Sequence, residues 1–182
     1  MLELAKKVRA AIKIPFCVGG GIADMDDVRA VLGGGADKIS VNTAAVKRPE
    51  FFTEIKSEFG SNRCVCAIDV QRVYVKSKKD APGKNLVKIG DQYCWFDVLT
   101  HGGHQSSGID AVEWAKKAKS LGAGEFLPTS HDYDGVKKGY DLEVTKAIKE
   151  ATGCPVTASG GAGTLQHILE AFTIAKADAA LA

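Results

Sequence analysis

The chain has 182 residues, 45% hydrophobic and 25% charged, with a formal charge of +2 at pH 7. That composition supplies a sizeable core and excludes the disordered and membrane-spanning classes. Lys and Glu are interspersed rather than blocked, which excludes a nucleic-acid groove and leaves a small polyanion as the charged ligand to expect.

In chain order, residues 2–12 place Leu2, Leu4, Ala5, Val8 and Ile12 on one helical face. This basic stretch reads as a domain helix rather than a transit peptide, because it contains Glu3 and runs straight into a strand at 14–18. The triplet Gly19-Gly20-Gly21 follows, then a helix opened by Asp24-Met25-Asp26-Asp27 with Val28, Val31 and Leu32 as its buried stripe. Residues 36–42 form the second strand, and 49–59 a helix stopped by Gly60-Ser61-Asn62. The third strand, 64–69, is apolar until it ends in Asp69, as a parallel strand covered on both faces would be.

From Val70 to about Gly108 the pattern breaks into lysines, glycines, Pro82 and two short hairpin-like pieces at 87–89 and 93–99, so an insertion or functional loop is expected there. Order resumes with a helix at 109–121, a strand at 125–129, a polar loop at 130–135 and a helix at 141–151. Five cysteines (Cys17, Cys64, Cys66, Cys94, Cys154) lack metal-ligand spacing and read as buried thiols of a reducing compartment, which points to the cytoplasm.

The run Pro15-Phe16-Cys17-Val18-Gly19-Gly20-Gly21 has a close copy, Pro155-Val156-Thr157-Ala158-Ser159-Gly160-Gly161. With one inserted residue the correspondence reaches Ala36-Asp37 on Ala177-Asp178. Strands alternating with helices predict an α/β protein with a parallel sheet. Because the first two strands recur as the fifth and sixth, the repeating unit is four strands long and two units make eight. The expectation is a partial (β/α)8 TIM barrel in one domain over 1–182, with an insertion at about 72–106. Strands three to eight would be present, strands one and two and the last helix missing, and the edges at 14–18 and 177–182 unpaired.

In such an architecture chemistry sits where strands hand over to loops. Those positions are Gly20 and Gly21, Asn42 and Thr43, Asp69, Thr129 and Ser130, Asp134 and Gly135, and Ser159, Gly160 and Gly161. One glycine turn reads as a tight βα connection; two at repeat-equivalent positions favour a ligand with two phosphates, held by bare backbone N–H groups and helix N-termini. Asp69 reads either as a general acid/base or as a helix cap or salt-bridged strand end; by the repeat, its partner would stand on a strand before Met1. His101 and His104 read as solvated loop residues rather than half a metal site, and no metal or cofactor is expected. Cys64, Cys66, Trp95 and Trp114 read as packing. Lys38 and Glu125 lie at the opposite strand ends, where they serve stability or gate a passage.

The runs VGGGI, GADKISVNTAAV, CAIDVQRV, LGAGEFLPTSHDYDGVKKGYD, ASGGAG and ADAALA, spread over nearly the whole chain, resemble the cyclase subunit or domain of imidazole glycerol phosphate synthase. The resemblance implies a lyase of histidine biosynthesis. It would combine ammonia, passed through the barrel from a glutamine amidotransferase, with a bis-phosphorylated ribulosyl formimino aminoimidazole carboxamide nucleotide. The products would be imidazole glycerol phosphate and aminoimidazole carboxamide ribotide.

By resemblance, Asp69 matches the catalytic aspartate of strand five and Thr129 a substrate contact. Gly21, Asn42 and Thr43 match one phosphate site, and Asp134, Gly135, Gly160 and Gly161 match part of the other; Gly20 and Ser159, beside them in the glycine turns, are expected to bind phosphate with them. Lys38 and Glu125 match members of the charged ring at the ammonia entrance. The segments RVYVKS and QYCWF resemble the insertion of fused glutaminase-cyclase enzymes, which implies a fused parent of fungal or plant type, plastid-located in the plant case. The aspartate of strand one and the strand-eight phosphate residues have no counterpart, and Pro128 and His131 depart from the pattern, so the chain alone is expected to be inactive. The alternatives are the sister isomerase of the pathway and a non-catalytic phosphate-binding barrel module.

Overall fold

A computed structural model describes residues 2–182, with side chains from Glu3 onward. The chain forms two compact units: one runs from the N-terminus to Ala67 and takes in Ala118–Glu125, the other comprises Ile68–Lys117 and Phe126–Ala182.

The first unit opens with helix α1 (Leu2–Ala11), strand β1 (Cys17–Gly19), helix α2 (Met25–Gly33) and strand β2 (Lys38–Val41). Helices α3 (Thr43–Lys47) and α4 (Phe51–Phe59) and a single 3-10 turn then lead into strand β3 (Cys64–Val75), whose residues up to Ala67 belong to this unit. The ladder is parallel, with Cys17 opposite Lys38 and Ile39 opposite Cys64. Phe51, Phe52 and Ile55 share one face of α4 and are fully buried with Val28, Val31 and Ile39. Each such side chain stabilises the unit by about 1.5–3 kcal/mol relative to exposure.

The face predicted for α1 holds only in part. Ala5 is buried and Val8 and Ile12 half-buried, but Leu4 is 65% exposed and the side chain of Leu2 lies outside the described residues. Among the described residues of the unit none covers Leu4. What fixes α1 is Arg9, whose Nε donates to the Gly35 carbonyl at 2.9 Å and whose guanidinium pairs with Asp37.

In the second unit β3 does not stop at Asp69. It runs on to Val75, antiparallel to strand β5 (Gln92–Thr100), with Asp69 opposite Leu99 and Val75 opposite Tyr93. Strand β4 (Val87–Ile89) and strand β6 (Gln105–Asp110) pair with opposite ends of β5, both on the edge that β3 leaves free. The stretch expected to be mostly irregular is thus largely an antiparallel sheet built on the continuation of β3, where buried Val70 and Arg72 flank exposed Gln71 at the two-residue period of a strand. Helix α5 (Ala111–Leu121), strand β7 (Glu125–Ser130), helix α6 (Leu142–Thr152), strand β8 (Thr157–Ala158), helix α7 (Leu165–Thr173) and strand β9 (Ala179–Ala180) complete the chain. Within this unit β7 pairs with β3, parallel bridges join Phe126 to Val156 and Thr129 to Ser159, and β8 runs parallel to β9. Helix α5 starts at Ala111, not 109, because Ile109 and Asp110 end β6 and the Asp110 carboxylate accepts from the N–H groups of Val112 and Glu113.

The sequence repeat is a repeat of hydrogen bonds. In the first unit the Asp37 carboxylate accepts the Phe16 N–H at 2.9 Å, and the Asp37 N–H donates to the Phe16 carbonyl at 3.0 Å. In the second, the Asp178 carboxylate accepts the Val156 N–H and the Asp178 N–H returns to the Val156 carbonyl, both at 2.8 Å. Each aspartate is paired with a cation, Arg9 and Lys149 respectively. Helix α2 is N-capped by Asp24 and α7 by Thr164, the corresponding positions.

The cysteines divide. Cys64, Cys66 and Cys94 are buried, and burial pushes the Cys64 thiol up to about 12 and the Cys94 thiol to about 11. Cys17 is exposed and Cys154 half-exposed, which corrects the expectation for both. β1 has only β2 beside it, and Cys154 follows the left-handed Gly153 cap of α6. Trp95 and Trp114 are buried, as expected of packing residues. Among the described residues no helix is long and apolar enough to cross a membrane.

Candidate functional site

The first glycine turn is open. Gly20 has φ +84° and a Cβ there would meet nothing within 4 Å, while Gly21 has φ +72°, and both are exposed. Their backbone is bare toward solvent, in a conformation L side chains rarely adopt. Gly19 is different: it faces Ser40 across the ladder, where a Cβ would lie 2.0 Å from Ser40 Oγ. Asn42 and Thr43 stand at the end of β2, Asn42 preceding the first turn of the short helix α3 and Thr43 opening it.

The second glycine turn is covered. Gly160 (φ +81°) and Gly161 (φ +104°) are buried, and a Cβ on Gly161 would fall 2.0 Å from the Gly139 carbonyl oxygen and 3.0 Å from that of Tyr133. One on Gly160 would touch Asp134 and Thr129 at 3.3 Å. The Gly139 N–H donates to the Gly161 carbonyl at 2.8 Å, and Ser159 bridges to Thr129. So Thr129, Asp134, Ser159, Gly160 and Gly161 are brought together, and exposed Gly135 (φ +73°) follows Asp134 in the same loop. Beside them an open pocket of about 470 Å³ is lined by Lys137, Ala162, Gly163, Thr164, Leu165, Ile168 and Ala182.

Asp69 is half-buried within β3, and the ladder puts it on the face shared by Gln71, Asp97 and Leu99. Asp97 is 5% exposed, accepts the Ser106 hydroxyl on Oδ2 and meets no polar partner at Oδ1 among the described residues. A second carboxylate on the face of Asp69 was not foreseen. Its only signal was the break that Asp97 makes in an otherwise apolar strand.

In the first unit Lys38 Nζ forms an ion pair with Glu125 Oε2, with the side chains 39% and 21% exposed, so these two do meet. His101 and His104 are exposed, and no group of three or more His, Cys, Asp or Glu among the described residues could hold a metal ion.

Sequence reasoning passed over Arg72 and Asp141. The Arg72 guanidinium, 5% exposed, grips Asp141, 1% exposed, through Nε to Oδ2 and Nη2 to Oδ1, both at 2.8 Å. Burial works against the charge on Arg72, but its hydrogen bonds to Asp141, helped by Tyr74 and Glu143, hold its pKa above the ordinary arginine value. A cation inside a strand flanked by valines was the available signal.

The chain matches the family described as histidine biosynthesis protein over residues 1–182. It is 50% identical over 182 residues to the imidazole glycerol phosphate synthase subunit HisF of Methanocaldococcus jannaschii, covering 100% of this chain and 67% of that one. To the subunits of the same name from Methanococcus maripaludis and Methanobrevibacter smithii it is 49% and 48% identical, over the whole chain and over 67% and 66% of theirs. The chain therefore spans about two thirds of the length of these relatives, and it belongs to the histidine biosynthesis protein family.

Proposed function

We propose that the chain carries the cyclase chemistry of imidazole glycerol phosphate synthase, a lyase reaction of histidine biosynthesis. The substrates are ammonia and the bis-phosphorylated ribulosyl formimino aminoimidazole carboxamide nucleotide; the products are imidazole glycerol phosphate and aminoimidazole carboxamide ribotide. The observation that carries this reading is the pair of repeat-equivalent glycine turns with positive φ, in a chain half identical to synthase subunits.

In this reading Gly20, Gly21, Asn42 and Thr43 hold one phosphate, and Asp134, Gly135, Ser159, Gly160 and Gly161 hold the other, with Thr129 beside it. Asp69 is the general acid/base, half-buried on its strand. Lys38 and Glu125 form part of an ammonia gate. Residues 1–182 make one partial (β/α)8 domain, strands three to eight in the family's order, with the antiparallel sheet at about 72–106 as its insertion. The partner is a glutamine amidotransferase. The relatives are named as subunits, which favours a separate partner over a fused one, and a cytoplasmic home over a plastid.

The test is ammonia-dependent turnover of the chain joined to the parts of the Methanocaldococcus jannaschii relative that it does not span, beside its Asp69→Asn variant. Activity in the parent that disappears with Asp69→Asn is expected. A parent that binds the bis-phosphate without closing the ring would leave a binding module in place of an enzyme.

A further inference from the structure

We propose that Arg72 is a positioning residue for the anion-binding loop Ser130–Tyr140, clamping both ends of that loop at once; the inference rests on the phosphate role proposed above for Asp134, Gly135, Gly160 and Gly161. The loop leaves β7 at Ser130 and re-enters regular structure at Asp141, the N-cap of α6.

Arg72 holds the outgoing end in two ways. Its backbone N–H donates to Asp132 Oδ2 at 2.7 Å, and its guanidinium lies 4.9 Å from the centre of the Tyr133 ring. The same strand takes the His131 N–H on the Val70 carbonyl at 2.8 Å. At the returning end the guanidinium makes its two bonds to Asp141 and a third, at 2.5 Å, to Glu143 Oε2. Ser130 Oγ closes the neck by donating to Asp141 Oδ2 at 2.9 Å.

Only a planar, forked cation serves here. Nε and Nη2 must meet both oxygens of one carboxylate while the flat face stays against Tyr133, a geometry lysine does not reproduce. Asp141 is at the same time an N-cap, accepting the Val144 N–H at 3.3 Å, so the clamp also sets where α6 begins.

Between the clamped ends, the loop presents Asp134 to Gly160, and Gly139 to Gly161 through the 2.8 Å bond. Arg72 touches neither glycine. It acts through the loop, and the antiparallel extension of β3 that carries it thereby sets the shape of the second anion site.

The experiment titrates inorganic phosphate into the full chain labelled for amide NMR, with Arg72→Lys and Arg72→Met variants. Phosphate should shift the amides of Gly135, Gly160 and Gly161 and, separately, those of Gly20, Gly21 and Thr43. In Arg72→Met the first group should bind at least tenfold more weakly while the second group keeps its affinity, and an unchanged emission from Trp95 and Trp114, buried in the same unit as Arg72, shows that the variant is folded there; Arg72→Lys should fall between. Equal affinity at Gly135, Gly160 and Gly161 in parent and variants overturns the inference. Were no amide of the parent to respond, the phosphate reading itself fails. The clamp is then decided by hydrogen exchange, which must speed up at least tenfold over residues 131–140 in Arg72→Met; unchanged exchange refutes it.

Discussion

Alanine at Gly20 and at Gly161, members of the two repeated turns, should have opposite consequences. At Gly20 the added methyl enters open space, so the loss is the cost of a left-handed backbone, about 1–2 kcal/mol. At Gly161 strain at φ +104° costs on the order of 1–3 kcal/mol, and the Cβ lies 2.0 Å from the Gly139 carbonyl oxygen. Relieving that overlap moves backbone, a further ~1–3 kcal/mol, and threatens the buried Gly139–Gly161 hydrogen bond, worth about 1 kcal/mol. Gly161→Ala should therefore lose about 3–7 kcal/mol, a large part of the ~5–15 kcal/mol that holds a domain folded. With an m-value of about 2 kcal/mol/M, that moves the urea midpoint down by about 1.5–3.5 M, against about 1 M or less for Gly20→Ala. Both tryptophans, Trp95 and Trp114, lie buried in the second unit with Gly161, so their fluorescence reads its unfolding directly. Circular dichroism serves Gly20→Ala. Gly20→Ala should instead weaken phosphate binding at its own turn at least tenfold. Equal midpoints for the two variants would refute the distinction between an open turn and a covered one.

Stability should fall in acid through Asp37 and Asp178. The Phe16 N–H, with Arg9, holds Asp37 below the ordinary carboxylate range; at Asp178 burial works the other way, and Lys149 and the Val156 N–H outweigh it. Folded values below unfolded ones mean that this stability is fully present above a pH of about 4 and drains as pH falls further. The urea midpoints of Asp37→Asn and Asp178→Asn should thus lie below the parent's at pH 6, and the gap should narrow as pH falls below about 4; a constant gap counts against the linkage. The edges should also tell in solution. Among the described residues β1 pairs only with β2 and β9 only with β8, while Ile14, Leu165, Leu169, Ile174 and Leu181 are each more than half exposed. Sedimentation velocity should show association that rises with concentration, and a monodisperse monomer would contradict that expectation.

Legibility followed the range of the interaction. The repeat could be read because its signals are local: glycines, caps and an aspartate fixed to the strand beside it. Strand lengths could not, since β1 keeps three residues and β9 two, wherever the neighbouring strand stops offering partners. Helix α3, five residues long, is too short for periodicity to register. Beyond Asp69 the alternation lasts only to Arg72 although the pairing runs to Val75, so the strand was taken to end at its carboxylate. Arg72 and Asp141 lie 69 residues apart, and no local pattern announces that they meet.

The two turns, alike in sequence and in backbone, reach their conformations by different routes, and this bears on how each would bind an anion. Around Gly20 no side chain closes in, so whatever orders that turn on binding must come from the ligand. Around Gly161 the Gly139 and Tyr133 carbonyls already fix the chain, and the buried Arg72–Asp141 pair holds the loop that supplies them. Ordering completed in folding is not charged again at association. On the proposed reading, then, the second phosphate is met by a preorganised site and the first by an adaptable one.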